Sequence, residues 1–166
     1  MLDGIGATEM LHIFITNRFE DHKPNCTGKP VKGYEAKVIG PDGAELPRGE
    51  VGRLAMRGPT GCRYMFGERQ TEYVQNGWNI SGDAFSQDED GYFHFAARYD
   101  DIIVSSGYNI AGPEVEAALM SHEAVAECAV IGVTDEERGS IVEAHVVLGA
   151  DQTPSVDLIK LLQDHV

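Results

Sequence analysis

The pattern of apolar and polar positions changes texture near residue 100. Before that point it predicts short antiparallel strands. YEAKVIGPDGAELPRGEVGRLAMRG carries a first run from Tyr34 to Ile39, a Pro41-Asp42-Gly43 turn, and a second run from Val51 to Met56. GWNISGD and GYFHFAAR continue the pattern; in the latter, Tyr92 and His94 alternate with Phe93 and Phe95, which predicts one buried and one wet face. After residue 100 the pattern predicts a short strand, a helix, two strands and a second helix. The first helix opens at Pro113, a favoured first helical residue, with Glu114 and Glu116 at the positive end of the dipole and Val115, Ala118, Leu119 and His122 as its buried stripe. AECAVIGV and IVEAHVVL, separated by DEERGS, read as strands, and a helix follows Pro154 with Val156, Ile159 and Leu162 on one face. That helix has no Gly or Asn stop signal before the sequence ends, and DGIGATEM arrives as a strand-to-loop motif with nothing before it, so a truncated chain is the expectation.

Size and composition narrow the class without naming a chemistry. A chain of 166 residues can bury enough surface for one ordinary core or two small ones. With 42% hydrophobic and 24% charged residues it reads as a globular protein, and no apolar run approaches the roughly 20 residues that span a bilayer. The start MLDGIGATEML lacks the basic flank and apolar segment of a signal peptide, so the expected location is cytoplasmic. Cys26, Cys62 and Cys128 are odd in number and far apart, which suits reduced thiols better than disulfides or a zinc site. The excess of 27 acidic over 13 basic residues, a net charge of -14, repels phosphate backbones and argues against nucleic acid as a partner. An anionic ligand therefore needs local help from Mg2+, backbone N–H groups or particular Arg and Lys side chains.

Three stretches carry candidate chemistry, and each has a plainer alternative. In GIGATEM, residues 4–10, Gly4 and Gly6 permit close backbone approach while Thr8 and Glu9 offer a hydroxyl and a carboxylate. This is either a loop facing a phosphate and its metal or a glycine-rich turn capped by Thr. In NISGDAFSQDEDGYF, residues 79–93, a calcium-loop register with Gly91 at the sixth position would start at Ser86 and end at Ala97, so that reading fails and DEDGYF is a hairpin turn. Asp83, after Ser81-Gly82, is either an acceptor for a diol such as a ribose or a turn-forming Asp. In AARYDDIIVSSGYN, residues 96–109, Asp100 and Asp101 lie on the texture boundary, where they cap a strand edge or mark a hinge.

In combination and order these segments resemble the acyl-adenylate-forming enzymes: acyl- and aryl-CoA ligases, luciferases and the adenylation domains of peptide synthetases. GATE stands where that family has Gly-x-Thr-Glu, SGD where it has Thr-Gly-Asp, and RYDDIIVSSGYNIAGPEVE where it has a Gly-Arg-x-Asp-Asp linker followed by a Ser-Gly segment. The resemblance covers essentially the whole chain, and DGIGATEMLHIF looks most like ligases acting on benzoate or 2-aminobenzoate. It implies an α+β fold: residues 1–99 as the β-barrel-like end of a large AMP-binding domain, and residues 100–166 as a small, incomplete α+β carboxy-terminal domain. It further implies ATP or AMP, Mg2+ and coenzyme A as cofactors and a small carboxylic acid as substrate. A homodimer, or a contact through the surface that truncation would expose, is the expected protein partner.

Carried over by position, Thr8 would contact the AMP phosphate beside Gly6 and Ala7, and Glu9 would hold Mg2+. Asp83 would accept the ribose hydroxyls with help from Arg98, Asp100 would be the hinge, and Ser106, Gly107 and Tyr108 would line the pantetheine tunnel. Ile5, Met10 and His12 either line the acid pocket or belong to a packed strand. Departures are Ile5 in place of the common aromatic, Ala97 in place of Gly, and Asn109 in place of an Arg, the last removing a permanent charge. The family's Ser/Thr/Gly-rich phosphate loop is missing, GPTGCR has neither its spacing nor its Lys, and Lys160 does not fit the adenylation lysine. The expectation is thus a piece of an AMP-forming ligase without complete catalysis, the alternative being a non-catalytic nucleotide-binding or protein-interaction module.

Overall fold

The computed structural model describes residues 2–65 and 67–166, apart from the side chains of residues 68 and 69. The chain divides into two units, Met1–Asp100 and Asp101–Val166. The first unit begins with a hairpin of β1 (Gly4–Ala7) and β2 (His12–Thr16), joined by a 3-10 turn over Thr8–Met10. Leu11 closes that turn in the left-handed region at φ 58°, donating its N–H to Ala7 and Thr8 carbonyls. A left-handed leucine is strained, so the surrounding contacts must hold it. β3 (Lys29–Pro30) continues this sheet beyond β2.

A second antiparallel sheet contains β4 (Glu35–Ile39), β5 (Gly52–Arg57), and, after the short helix α1 (Gly67–Tyr73), β6 (Val74–Gln75), β7 (Trp78–Gln87) and β8 (Phe93–Arg98). Its order is β4-β5-β7-β6, with β8 also paired to β7. The sheets meet where Phe93 exchanges backbone hydrogen bonds with Thr27 and Gly28 at 2.8 Å. Gly28 has φ 116°, and a Cβ there would overlap the Thr16 carbonyl, so no other residue fits.

Period-two alternation puts Leu54 and Met56 on one face of β5, where they join Met10, Phe14, Ile15, Val38, Phe85 and Phe93 in the main core. Ala55 faces the other way with Ile39 and Ile80. The alternation predicted for residues 92–95 is only half met: Tyr92 and Phe93 are buried, whereas Phe95 is 53% exposed. The register shifts between Ala84 and Phe85, leaving Ala96 as an extra residue. Phe95 lies on β8 away from the Gly28 bridge and keeps one neighbouring ring, Phe85, edge-on with centroids 5.5 Å apart.

The β7–β8 turn is held by Asp88, which accepts hydrogen bonds from Lys23 Nζ at 2.7 Å, the Tyr92 N–H at 2.8 Å and His94 Nε2 at 3.0 Å. Burial alone would raise its carboxyl, but the Lys23, His94 and Tyr92 hydrogen bonds outweigh it and hold the group well below the usual carboxylate range. The acidic turn is therefore a structural tie, and no group of three or more metal-ligating side chains occurs among the described residues.

A 3-10 turn over Tyr99–Asp101 crosses the division between the units. The second unit contains a hairpin of β9 (Ile102–Ser105) and β10 (Tyr108–Ala111), α2 (Gly112–Met120), a long hairpin of β11 (Val125–Asp135) and β12 (Gly139–Leu148), and α3 (Val156–His165). Pro113 sits in the first turn of α2. Leu119 and Val125 form a small core with Leu162, bordered by Val115, Cys128, Val130, Val146 and Leu158. The predicted stripe of the last helix is corrected: Val156 is 81% and Ile159 57% exposed, while Leu162 is 8% exposed and Leu158 packs beside it. Ser155 caps α3 by accepting the Leu158 N–H at 3.1 Å, and the row that meets the core is the i, i+4 pair Leu158 and Leu162. The fold is α+β, a β-rich unit followed by a smaller α+β unit, and no helix among the described residues is long and apolar enough to cross a membrane.

Candidate functional site

The first unit contains a cavity of about 630 Å³ lined by Gly6, Ala7, Thr8, Glu9, Arg53, Glu72, Tyr73, Ser81, Gly82, Asp83, Arg98 and Asp100. Small-molecule sites commonly span about 300–1,000 Å³. Two motifs far apart in sequence thus meet on one wall: the end of β1 with its 3-10 turn, and the middle of β7. The glycines let the β1 backbone run close to β2, since a Cβ on Gly6 would press on the His12 carbonyl at 3.0 Å.

Asp83 and Arg98 are direct cross-strand partners on β7 and β8, and Arg98 Nη1 donates to Asp83 Oδ1 at 2.7 Å. Gly82 explains its own presence, because a Cβ there would overlap the Arg98 guanidinium. Ser81 Oγ accepts the Asp83 N–H at 3.1 Å within β7. Arg53 reaches the cavity from β5, its guanidinium 4.8 Å from the Tyr99 ring centroid and its Nε buried with no hydrogen-bond partner among the described residues.

On the opposite side of Thr8, Glu9 accepts a hydrogen bond from the Tyr64 hydroxyl at Oε1 and another at its carbonyl from the Cys62 N–H, the latter at 2.7 Å. Tyr73 packs edge-on against Tyr64 with centroids 6.2 Å apart, and its own hydroxyl is buried with no hydrogen-bond partner among the described residues. Burial first, then the Glu9 charge, pushes the Tyr73 phenol above its ordinary value, so it remains protonated at neutral pH. The lining sets four carboxylates, Glu9, Glu72, Asp83 and Asp100, against two guanidiniums, Arg53 and Arg98. An anionic ligand would enter this cavity most readily with a cation.

The structure thus brings Gly6, Ala7, Thr8, Glu9, Asp83, Arg98 and Asp100 into one lining. Met10 takes the packed alternative: it is fully buried in the main core, beneath the turn. Ile5 packs against the same core, and the His12 ring stacks with Tyr34, centroids 6.2 Å apart; neither lines the cavity. Ser106, Gly107 and Tyr108 belong to the second unit, at the β9–β10 turn, with Ser106 and Gly107 at φ 50° and 85° and the Tyr108 side chain exposed. Sequence reasoning missed Arg53, Glu72, Tyr73 and the Thr60–Tyr64 strap. GPTGCR has the composition of an ordinary turn, and Tyr64 directly after it belongs to no motif.

Comparison with known proteins gives two family matches. Residues 1–65 match the family described as AMP-binding enzyme, and residues 114–166 match the AMP-binding enzyme C-terminal domain. An uncharacterized acyl-CoA ligase of Bacillus subtilis is 41% identical over 168 residues, covering 99% of this chain and 32% of that protein. A benzoate-CoA ligase of Thauera aromatica is 40% identical over 165 residues, covering 95% of this chain and 31% of its own length. Among solved structures, an anthranilate CoA ligase in complex with anthranoyl-AMP is similar with a TM-score of 0.74 and 40% identity, over 99% of this chain and 32% of that one. The chain spans about a third of the length of the curated relatives it matches.

Proposed function

The chain belongs to the AMP-binding enzyme family, and on that premise we propose that it carries the nucleotide wall and the mobile carboxy-terminal domain of an AMP-forming acid-CoA ligase. The overall reaction joins a carboxylate to the α-phosphate of ATP, releasing pyrophosphate and forming an acyl adenylate. CoA thiolate then displaces AMP to give the thioester. Neither step requires a protein nucleophile; both require positioning and charge stabilisation.

The carrying observation is that Thr8 and Glu9 share one cavity with Asp83 and Arg98. Thr8 and the backbone at Gly6 and Ala7 take the phosphate. Asp83, oriented by Arg98, accepts the ribose hydroxyls through charge-assisted hydrogen bonds. Glu9 suits Mg2+, which characteristically uses one or two carboxylates together with substrate phosphates rather than a full protein cage. The acidic lining is consistent with this choice. When bound there, the ion would neutralise phosphate charge. Asp100 is the hinge, and Ser106, Gly107 and Tyr108 serve the thioester step. Arg53 adds a second guanidinium to the lining.

For the acid, an aromatic carboxylate such as benzoate or 2-aminobenzoate is the reading supported by the two aryl relatives, while the Bacillus relative is named only as an acyl-CoA ligase. Calorimetric titration with AMP and with a non-hydrolysable aryl-AMP mimic tests the proposal. Binding should occur and fall at least tenfold in Asp83→Ala, the scale of one lost hydrogen bond to a charged group. Absence of any nucleotide binding, or undiminished binding by Asp83→Ala, contradicts it.

A further inference from the structure

The segment Thr60–Tyr64 lies across the 3-10 turn that carries Thr8 and Glu9. Thr60 Oγ1 donates to the Met10 carbonyl, the Cys62 N–H donates to the Glu9 carbonyl at 2.7 Å, and the Tyr64 hydroxyl donates to Glu9 Oε1. These partners are 50–55 residues apart in sequence. The strap is itself anchored: the Tyr34 hydroxyl and Thr60 Oγ1 are 2.6 Å apart, the Tyr64 N–H donates to Gln70 Oε1 of α1 at 2.9 Å, and the Tyr73 ring stands edge-on to Tyr64.

From this geometry we infer that Tyr64 is a positioning residue for Glu9, fixing the carboxylate through Oε1 so that its ligand-facing orientation exists before a cation and nucleotide bind. The inference rests on the nucleotide reading of the cavity and adds to it a residue outside the lining. A glutamate on a short turn has several accessible rotamers, and ordering it on binding costs affinity. A phenol held by a separate segment removes part of that cost beforehand, and an O–H to carboxylate hydrogen bond is among the stronger ones available.

A double-mutant cycle on the whole chain tests this, with AMP in MgCl2 as the probe and calorimetric affinity as the readout. Tyr64→Phe should weaken AMP binding about tenfold in the native background and less than about twofold in the Glu9→Gln background. Circular dichroism checks that each variant is folded. Should Tyr64→Phe fail to fold, Gln70→Ala, which releases the Tyr64 backbone and leaves the phenol, is expected to show a smaller loss that also vanishes with Glu9→Gln. Equal losses in both backgrounds overturn the inference alone, since Tyr64 then acts independently of Glu9. If the unsubstituted chain binds no AMP, the nucleotide reading fails and takes this inference with it.

Discussion

The polar cavity of the first unit and the apolar groove of the second have similar volumes, about 630 and 570 Å³, but are assembled differently. The groove is walled by Val142, Ala144, Val146 and Leu148, alternate residues of β12, together with Leu158 and Leu162 of α3. Strand period and helix period generate it directly. The cavity instead draws on β1, the following 3-10 turn, β5, α1, β7 and β8. Its side chains are set by cross-strand register and by the strap, so its geometry depends on pairings between distant parts of the chain. Groove residues contribute mainly through buried area, whereas cavity residues contribute through orientation and charge.

That contrast can be broken most severely at Gly28, where the two sheets of the first unit join. Gly28→Ala should destabilise the first unit by about 3 kcal/mol or more, because the left-handed φ and a backbone overlap act together. Hydrogen exchange should then show protection lost throughout β2, β3 and β8 and retained in β11 and β12; uniform retention would contradict this account of the junction.

In the second unit, Leu162→Ala removes a side chain of its small core and should cost about 2–3 kcal/mol in urea unfolding. Ile159→Ala, on an exposed side chain, should change stability by less than about 0.5 kcal/mol. A cost for Ile159→Ala as large as that for Leu162→Ala would restore the stripe of Val156, Ile159 and Leu162 inferred from sequence.

A smaller, pH-dependent effect belongs to Asp88. Because its folded-state carboxyl titrates below the unfolded value, its stabilisation is present above about pH 4 and is lost as pH falls through the folded value. Its partner Lys23 is partly exposed, so solvent screening limits the contribution to about 1 kcal/mol. Asp88→Asn should lower the urea midpoint at pH 7, with the difference from the native chain shrinking as pH falls below 4. An undiminished difference in acid would show that the Asp88 ties do not depend on its charge.

Much of the fold was legible because burial alternates with secondary-structure period. The β4–β5 pair, the β7–β8 turn at Asp88–Tyr92, the start of α2 at Pro113 and the β11–β12 hairpin all follow from local residue types. The misplaced residues have local causes that periodicity does not encode. Phe93 is bonded across to Thr27 and Gly28 whereas Phe95 lies beyond that bridge, and Leu158 and Leu162, not Val156 and Ile159, meet the small core of the second unit. At the site, Asp83 and Arg98 stood out as motif residues, but their direct pairing depends on the register of the β7–β8 hairpin. Arg53, Tyr64 and Tyr73 carried no signal of their own, since an isolated strand arginine or loop tyrosine has no period and no motif; only the folded chain shows Arg53 and Tyr73 lining the cavity and Tyr64 bonded to Glu9.

Backbone amide NMR during AMP titration in MgCl2 addresses the central claim at residue level. The account predicts that Gly6, Ala7, Thr8, Gly82 and Asp83 shift together and fit one dissociation constant, with α3 and the Val142–Leu148 face unmoved. Shifts confined to that apolar face, or two independent constants for the Gly6–Thr8 and Gly82–Asp83 segments, would contradict it.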